Sequence, residues 1–300
     1  MATVLPTGLD AGLTGVEAPA PSARRRGFAW LAVAPFFLYM AVFFAVPVLM
    51  LVLGAFQSGG AHSSYTLDTL RQANEGPSLN ALLGSVRLSA GTAVVGALGG
   101  VGVAQLIIHT RALKRIVLTA SGVLANFGGV PLAFMFIATL GNAGFVTVKL
   151  HLGDTGFTLY SFWGLALIYL YFLIPLMVLV VLPALEGLRV QWHEAATNLG
   201  ASRWQYWRHI GGPVLLPSVL GGFVLLFGSA FSAFATARAA MGASSVPLVT
   251  LYIANNLSSN VSTNGQNIAF ALSVDMIVVA GLVMAVYLPL QRRTTRWLNQ

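Results

Sequence analysis

The sequence predicts an all-α integral membrane protein with six transmembrane helices. Hydrophobic residues make up 57% of the 300 residues and charged residues only 8%, whereas soluble domains average about 25% charged residues. The apolar residues are gathered into six runs, each close to the roughly 20 residues that a helix needs to cross a bilayer. The predicted spans are residues 29–54, 81–108, 116–140, 158–183, 213–236 and 268–290.

Residues 1–27 are predicted to form a disordered cytoplasmic tail, and residues 28–300 the transmembrane domain. The first 22 residues are rich in Gly, Ala, Pro and Thr and lack apolar periodicity. Three arginines, Arg24 to Arg26, precede an apolar run that is too long for the core of a cleaved signal peptide. We therefore interpret this run as a retained membrane anchor.

The distribution of basic residues predicts the orientation of the chain. With both termini in the cytoplasm, twelve of the 16 Lys and Arg residues lie on the cytoplasmic side, as the positive-inside rule requires. The other four lie outside or near the outer ends of spans: Arg71, Arg87, Lys149 and Arg238. The formal net charge of +8 therefore fits topogenic loops better than nucleic-acid binding.

The sequence lacks the motifs of several enzyme classes. It contains no Cys, which excludes disulfides, Cys-based zinc sites and Cys nucleophiles. Walker-type phosphate loops, H-E-x-x-H and G-x-S-x-G are also missing, and the five His residues show no metal-ligand spacing. We therefore expect a non-catalytic chain that binds no cofactor or metal ion and no nucleic acid.

The third and fifth spans contain candidate residues of a translocation pathway. The stretch ANFGGVPLAF, with Asn126 and Pro131, predicts a weakened or kinked helix. Such a bend either lines a cavity or packs closely through its glycines. Ser229, Ser232 and Thr236 follow spacings of three and four, which predicts a shared helix face. That face forms either a weakly polar pathway wall or hydrogen bonds between helices.

Asp275 is the one clear ionisable residue inside a predicted span. Intramembrane carboxylates often belong to substrate pathways or to proton coupling. Alternatively, Asp275 is a structural partner of a basic residue near the outer leaflet, such as Arg87 or Arg238. A single carboxylate is too few for the coupled groups that proton-driven secondary transporters usually contain.

The loop at residues 185–212 contains a patterned polar insert, QWHEAATNLGASRWQYW. Apolar residues recur at helical spacing from Leu188 to Leu199, which predicts a short amphipathic helix. Gly200 suits a C-terminal cap, and Ser202 with Gln205 matches a capping box that starts a second helix. The loop is thus predicted to form a helix–turn–helix elbow (the elbow) on the cytoplasmic face, although composition alone also fits an ordinary interfacial connector.

The spacing within the elbow resembles the EAA loop of permease subunits from type I binding-protein-dependent ABC importers. The family pattern is E-A-A, three residues, G, nine residues and then I-x-L-P. Six positions match it: Glu194, Ala195, Ala196, Gly200, Ile210 and Pro213. Gly212 departs from the pattern, since the family prefers Leu there. The wider resemblance covers roughly residues 81 to 290.

The resemblance implies a type I ABC importer permease fold in a multi-pass protein of the bacterial inner membrane. It also implies that the first elbow helix is a coupling helix, which docks on an ATPase subunit. Its expected interface residues are Glu194, Ala195, Ala196, Leu199, Gly200 and Ala201. The candidate pathway residues are Asn126, Ser229, Ser232, Thr236 and Asp275.

Three kinds of protein partner are implied by the same resemblance. They are a homodimer of ABC ATPase subunits, a second permease subunit and an external substrate-binding protein. ATP and Mg would bind to the ATPase subunits. We expect the two permeases to form a hetero-pair.

The substrate class is predicted from two short stretches. NLGAS, after the EAA residues, resembles the branch that carries polyamines, iron(III), thiamine, phosphonates or inorganic oxyanions. SAFSAFATA resembles a polyamine-type G-D-F-x-T segment, but Ala233 stands where that pattern has Asp. We expect a polyamine or phosphonate-like solute. The alternatives are a sugar or glycerol-phosphate importer and, from another class, a secondary active transporter.

Overall fold

The computed structural model describes residues 26–57, 65–108, 110–242, 246–258 and 264–296. These residues form helices joined by short turns, with one isolated antiparallel bridge between Gln57 and Tyr65. The described ranges contain no β-strand, so the predicted all-α fold class is confirmed. Most of the predicted tail, residues 1–27, lies outside the described residues.

The helices are labelled α1 to α14 in chain order. Their bounds are Arg26–Met40 (α1), Val46–Ala55 (α2), Asp68–Ala73 (α3), Gly76–Ile107 (α4), Arg111–Asn126 (α5), Gly129–Leu140 (α6), Phe145–Lys149 (α7), Phe162–Glu186 (α8), Val190–Asn198 (α9), Arg203–Tyr206 (α10), Gly212–Phe231 (α11), Phe234–Met241 (α12), Val249–Ser258 (α13) and Gly265–Arg296 (α14). Two π-helical turns, Ala41–Ala45 and Trp207–Gly211, and a short 3-10 turn, Leu152–Thr155, complete the helical elements.

The chain divides into two compact units, residues 1–50 and 51–300. In the first unit, α1 contains Pro35 and continues through the π-helical turn Ala41–Ala45 into the start of α2. The second unit holds the end of α2 and the remaining helices, and it contains the site described below.

Six helical segments of the described chain are long and apolar enough to cross a membrane, as the sequence predicts. They are Val33–Ala55, Gly76–Ile107, Gly129–Lys149, Phe162–Glu186, Arg203–Phe231 and Gly265–Arg292. Each overlaps one predicted span. The third segment is displaced towards the C-terminus, because the predicted span 116–140 is not one helix.

The third predicted span is interrupted where the sequence predicts a weak helix. Helix α5 ends at Asn126, and α6 begins at Gly129. The two residues between these helices, Phe127 and Gly128, are not helical. The φ angle of Gly129 is +74°, a left-handed conformation that glycine adopts without steric cost. The predicted weakening is therefore confirmed, and the predicted span 116–140 is divided between α5 and α6.

Helix α8 lies at the centre of the second unit, where it packs against α4, α5 and α11. Its fully buried Met177 fills a junction between two glycines, Gly100 on α4 and Gly222 on α11. A Cβ atom on Gly100 would lie 2.7 Å from Met177 Cγ, and one on Gly222 would lie 2.9 Å from Met177 Cε. Both distances are closer than packed carbon atoms allow, so glycine is what permits these helices to approach.

Candidate functional site

The loop between α8 and α11 folds into the predicted elbow. Helix α9 spans Val190–Asn198 and α10 spans Arg203–Tyr206. The predicted first helix, Leu188 to Leu199, extends two residues further than α9 at its start and one residue further at its end. Helix α9 begins later than predicted because its N-cap residue, Arg189, has an extended backbone (φ −69°, ψ 131°).

Gly200 ends α9 as the sequence predicts. Its φ angle is +77°, and its N–H donates to the Thr197 carbonyl at 2.9 Å. The Ala201 N–H donates to the Ala196 carbonyl at 3.0 Å. This pair of hydrogen bonds is a Schellman motif, which satisfies carbonyl groups that the end of a helix leaves unpaired.

The predicted capping box at the start of α10 is also confirmed. The Ser202 N–H donates to Gln205 Oε1 at 2.7 Å, and the Gln205 N–H donates to Ser202 Oγ at 3.3 Å. The buried Tyr206 ring then contacts the His193 ring edge to face, with centroids 4.8 Å apart. Because His193 lies on α9, this contact holds the two elbow helices against each other.

The elbow presents most of the predicted coupling residues on its outside. Glu194, Ala195, Leu199 and Gly200 are exposed, and the Leu199 side chain is 88% exposed. Ala201 is half-buried. By contrast, Ala196 is only 7% exposed, so the chain itself covers this residue. The exposed set combines a carboxylate, an uncovered apolar side chain and a bare glycine backbone within one short segment.

Two features fix the elbow to the membrane helices. At its start, Lys114 of α5 forms an ion pair with Glu186, the last residue of α8. At its end, the π-helical turn Trp207–Gly211 leads into α11. The Trp207 ring lies so close to Gly211 that a Cβ atom there would be 2.7 Å from its Cε3 atom.

The same π-helical turn accounts for the departure from the family pattern at Gly212. The Gly212 N–H donates to the Trp207 carbonyl, five residues earlier. A Cβ atom on Gly212 would lie 2.6 Å from that carbonyl oxygen. Leu at this position would therefore collide with the π-helical backbone, whereas glycine does not.

The predicted pathway residues of the third and fifth spans lie together. Asn126, Ser229, Ser232 and Thr236 all border one open cavity of about 540 Å³. Phe172 and Leu176 of α8 form part of its wall. The described lining contains no charged residue, so the cavity is weakly polar.

The three hydroxyl residues do not share one continuous helix face, and that prediction is wrong. Helix α11 ends at Phe231, and α12 begins only at Phe234. The break is stabilised from α8, where the Tyr169 hydroxyl donates to the Ala233 carbonyl at 3.0 Å. In an apolar environment, such a bond is what makes a broken helix tolerable.

The two helix breaks are joined by one hydrogen bond. The Gly129 N–H, at the start of α6, donates to Thr236 Oγ1 of α12 at 2.9 Å. Thr236 is only 3% exposed, and α6 packs along α12. Of the two alternatives predicted for these hydroxyl groups, a hydrogen bond between helices is observed at Thr236, which also borders the cavity.

Asp275 does not border this cavity. Its Oδ2 atom accepts a hydrogen bond of 3.3 Å from Asn74 Nδ2, in the turn after α3. The suggested partners Arg87 and Arg238 are therefore wrong, because the amide of Asn74 occupies that role. The contact ties α14 to the segment between α3 and α4.

Tyr169 is the functional candidate that the sequence analysis missed. It sits in an apolar run, where periodicity gives no sign of its role. A signal was nevertheless present, since a buried tyrosine usually needs a hydrogen-bond partner for its hydroxyl group.

Among the described residues, no group of His, Asp and Glu side chains is arranged to hold a metal ion.

Comparison with known proteins gives partial sequence matches to transport permeases. The chain is 33% identical over 106 residues to the molybdenum transport system permease protein ModB of Escherichia coli (strain K12), which is 35% of this chain and 46% of ModB. It is 39% identical over 67 residues to the spermidine/putrescine transport system permease protein PotC of the same strain, 22% of this chain and 25% of PotC. The chain thus spans about half the length of the first of these relatives. No protein-family model matches it.

Solved structures match over more of the chain. One is a chain of a bacterial ABC transporter involved in the import of the acidic polysaccharide alginate, with a TM-score of 0.72, 18% identity and coverage of 90% of this chain and 96% of that one. Another belongs to the MetNI methionine ABC transporter, with a TM-score of 0.53, 16% identity and coverage of 73% and 99%. This chain is therefore a multi-pass membrane protein with the fold of type I ABC importer permeases, and the resemblance that Glu194, Gly200 and Pro213 predict is confirmed.

Proposed function

We propose that this protein is the permease subunit of an ATP-driven importer and that its elbow receives force from an ATPase subunit. The observation that carries the proposal is an exposed surface formed by Glu194 and Ala195 of α9 and by Leu199 and Gly200 in the turn that follows it. Ala195 and Gly200 allow a partner backbone to approach closely, and Glu194 offers a carboxylate to a basic side chain.

The contacts within the elbow would transmit a movement of α9 to the membrane helices α8 and α11. The Schellman motif and the capping box fix its backbone, and Tyr206 holds α10 against α9. The ion pair between Lys114 and Glu186 connects its start to α5. Closure of an ATPase dimer would move α9 and thereby re-aim α8 and α11 as rigid bodies, which is alternating access driven through one contact.

The cavity between the two helix breaks is the pathway in this proposal. Irregular backbone at membrane depth is tolerated where it lines a cavity or is buried in protein, and both breaks border this one. Because Thr236 joins the breaks, movement of α11 reaches α6 as well as α12. Asp275 is assigned a structural role, since it pairs with Asn74 away from the cavity.

The solute is proposed to be small and, within the expected polyamine and phosphonate-like group, to be of the anionic kind. A polyamine site needs carboxylates to neutralise several ammonium groups, but the described cavity lining contains none. Ala233 borders the cavity at the position where the polyamine-type pattern has Asp. Among the relatives, one is named for sulfate, which is an anion, and others are named for molybdenum and for spermidine and putrescine.

Several partners are required by this function. ATP and Mg would bind to a homodimer of ATPase subunits, and this chain would form the pathway with a second permease, which we propose to be a different chain. An external binding protein would deliver the solute. The alginate transporter, whose fold this chain shares, was solved with a periplasmic protein bound. The location would be the bacterial inner membrane, with both termini in the cytoplasm.

The test is co-purification followed by charge reversal at the elbow. The tagged protein, expressed with its neighbouring genes, should purify with an ATPase subunit. Glu194→Arg should then lower solute-stimulated ATP hydrolysis about tenfold or more, because truncating one partner of a charged interface pair costs about 2–5 kcal/mol.

Asp154→Arg is the matched control, since Asp154 is an exposed acid in the 3-10 turn on the predicted external side. It should leave ATP hydrolysis unchanged. The proposal is wrong if no ATPase subunit accompanies the purified protein, or if Glu194→Arg behaves like the control.

A further inference from the structure

A second cavity, of about 790 Å³, lies beyond the one assigned to the pathway. It is bordered by the start of α4, by α12, by residues 246–248 and by α13. Its polar side chains are Asn80, Arg238, Tyr252 and Asn255. In the predicted orientation it lies on the external side, because α12 follows the outer end of α11 and α4 begins there.

The floor of this cavity is fixed to α4. The Val249 N–H donates to the buried Ser85 Oγ at 2.8 Å. The Pro247 carbonyl lies directly against Gly84, where a Cβ atom would overlap it. The segment 246–249 therefore has a defined position, and the cavity is a built feature of the fold.

Arg238 supplies the positive charge of the cavity. Its Nη1 atom donates to Asn255 Oδ1 at 3.1 Å. A guanidinium group carries five N–H donors, so this bond leaves most of them available. Among the described residues, Arg238 forms no ion pair and no carboxylate borders the cavity.

The neighbouring polar groups favour an anion. Because Asn255 accepts the bond from Arg238 through its oxygen, its Nδ2 group remains a donor. Asn80 adds another amide and Tyr252 a hydroxyl group. Val246, Pro247, Leu248 and Leu251 form the apolar walls, and such walls strengthen the attraction between a fixed cation and an anion.

We propose that this cavity is an entry site for a small oxyanion, held by the Arg238 guanidinium and the amides of Asn80 and Asn255. Arginine is well suited to this task, since its planar fork of donors matches the oxygens of an oxyanion. The inference rests on the proposed importer function and specifies its substrate as a free oxyanion in solution.

Helix α12 separates the entry site from the pathway cavity. Thr236 borders the pathway cavity and Arg238 borders the entry site. Two residues correspond to about 200° of rotation on an α-helix, so the two side chains lie on opposite faces of α12. An oxyanion bound at Arg238 would therefore lie on one face of α12, and the opposite face of α12 borders the pathway cavity.

The test is equilibrium binding to the intact transporter complex in phosphatidylcholine nanodiscs. Radiolabelled sulfate, molybdate and phosphate, together with spermidine as a cation, are each titrated with and without Arg238→Gln. At least one of these oxyanions should bind to the wild-type complex. Arg238→Gln should weaken its affinity about tenfold or more, since a hydrogen bond to a charged group contributes about 1.5–3 kcal/mol.

Arg71→Gln is the matched control. Arg71 is also predicted to be external, but its guanidinium is paired with Glu75 at 2.9 Å, and this hydrogen bond raises the pKa of Arg71. The control should bind the oxyanion as the wild type does. Arg238→Lys, which keeps the charge and loses the planar fork, should retain part of the affinity.

Lipid phosphate is the competing source of the same chemistry. Repeating the titration in nanodiscs that contain phosphatidylglycerol separates the two sources. Unchanged affinity supports a site for a free oxyanion. The inference is overturned if phosphatidylglycerol displaces the oxyanion, if spermidine binds instead, if no oxyanion binds, or if Arg238→Gln has no effect. These failures would leave ATPase co-purification and the Glu194→Arg result intact, so the importer function is tested separately.

Discussion

The junction around Met177 and the elbow between α8 and α11 use glycine in opposite ways. In the junction, Gly100 and Gly222 provide space that the Met177 side chain fills. In the elbow, no atom lies near the missing side chain of Gly200, and glycine is needed for its left-handed backbone. Side-chain fit therefore specifies the junction. Backbone hydrogen bonds specify the elbow, which leaves its side chains uncovered for another molecule.

The largest effect is expected from adding one carbon atom to the junction. In Gly100→Ala, the new Cβ atom would collide with Met177 and lie 3.0 Å from the Ile174 carbonyl oxygen. Overpacking of this kind typically lowers the free energy of unfolding by about 1–3 kcal/mol. Thermal unfolding of the purified protein, followed by tryptophan fluorescence, should show a lower midpoint.

Gly102→Ala is the control for this variant, because open space surrounds Gly102 two positions further along α4. Alanine stabilises a helix by up to about 1 kcal/mol relative to glycine, so this variant should unfold at the same or a higher temperature. Equal midpoints for the two variants would contradict the close-packed junction.

A smaller and local effect is expected at Gly200. Gly200→Ala forces a non-glycine residue into the left-handed region, which costs roughly 1–2 kcal/mol. The amides at the end of α9 should exchange with solvent about tenfold faster, while the thermal unfolding midpoint of the whole protein stays nearly constant. Hydrogen-exchange mass spectrometry measures the first quantity and tryptophan fluorescence the second.

Gly200→Asn separates backbone conformation from side-chain size in the same experiment. Asparagine tolerates the left-handed conformation, so its amide exchange should resemble that of the wild type. If Ala and Asn accelerate exchange equally, the positive φ angle is not what holds the end of α9.

The smallest effect is expected from the capping box. Ser202→Ala removes the acceptor of the Gln205 N–H bond, and the loss of an N-cap side chain typically costs about 1 kcal/mol. Amide exchange in α10 should rise a few-fold, again without a change in the unfolding midpoint. Ser202→Asp restores an N-cap acceptor and should restore protection, and a failure to do so would count against the cap.

The elbow could be predicted almost to the residue because its signals are local. The Gly200 cap and the bonds between Ser202 and Gln205 each join residues within a few positions of one another. The six spans were predictable for a similar reason, since apolar run length depends on neighbouring residues. The pattern of Glu194, Gly200 and Pro213 added the fold to this local description.

The break after α11 and the partners of both breaks could not be predicted, because the contacts that stabilise them are distant in sequence. The Tyr169 hydroxyl bond to the Ala233 carbonyl joins residues 64 positions apart, and the Gly129 bond to Thr236 spans 107. The contact between Asn74 and Asp275 spans 201. Periodicity therefore extended the fifth span past Ser232, where tertiary hydrogen bonds allow the helix to stop.

The π-helical turn at Trp207–Gly211 determines the rotational orientation of the elbow about the axis of α11. A π-helical turn accommodates one residue more than the α-helical turn it replaces, and one residue corresponds to about 100° around the helix axis. Deleting one residue from this turn would thus rotate everything before it by that angle relative to α11. The direction in which Glu194 points therefore depends on whether the backbone at Gly211 and Gly212 forms π-helical or α-helical hydrogen bonds, more than ten residues away along the chain.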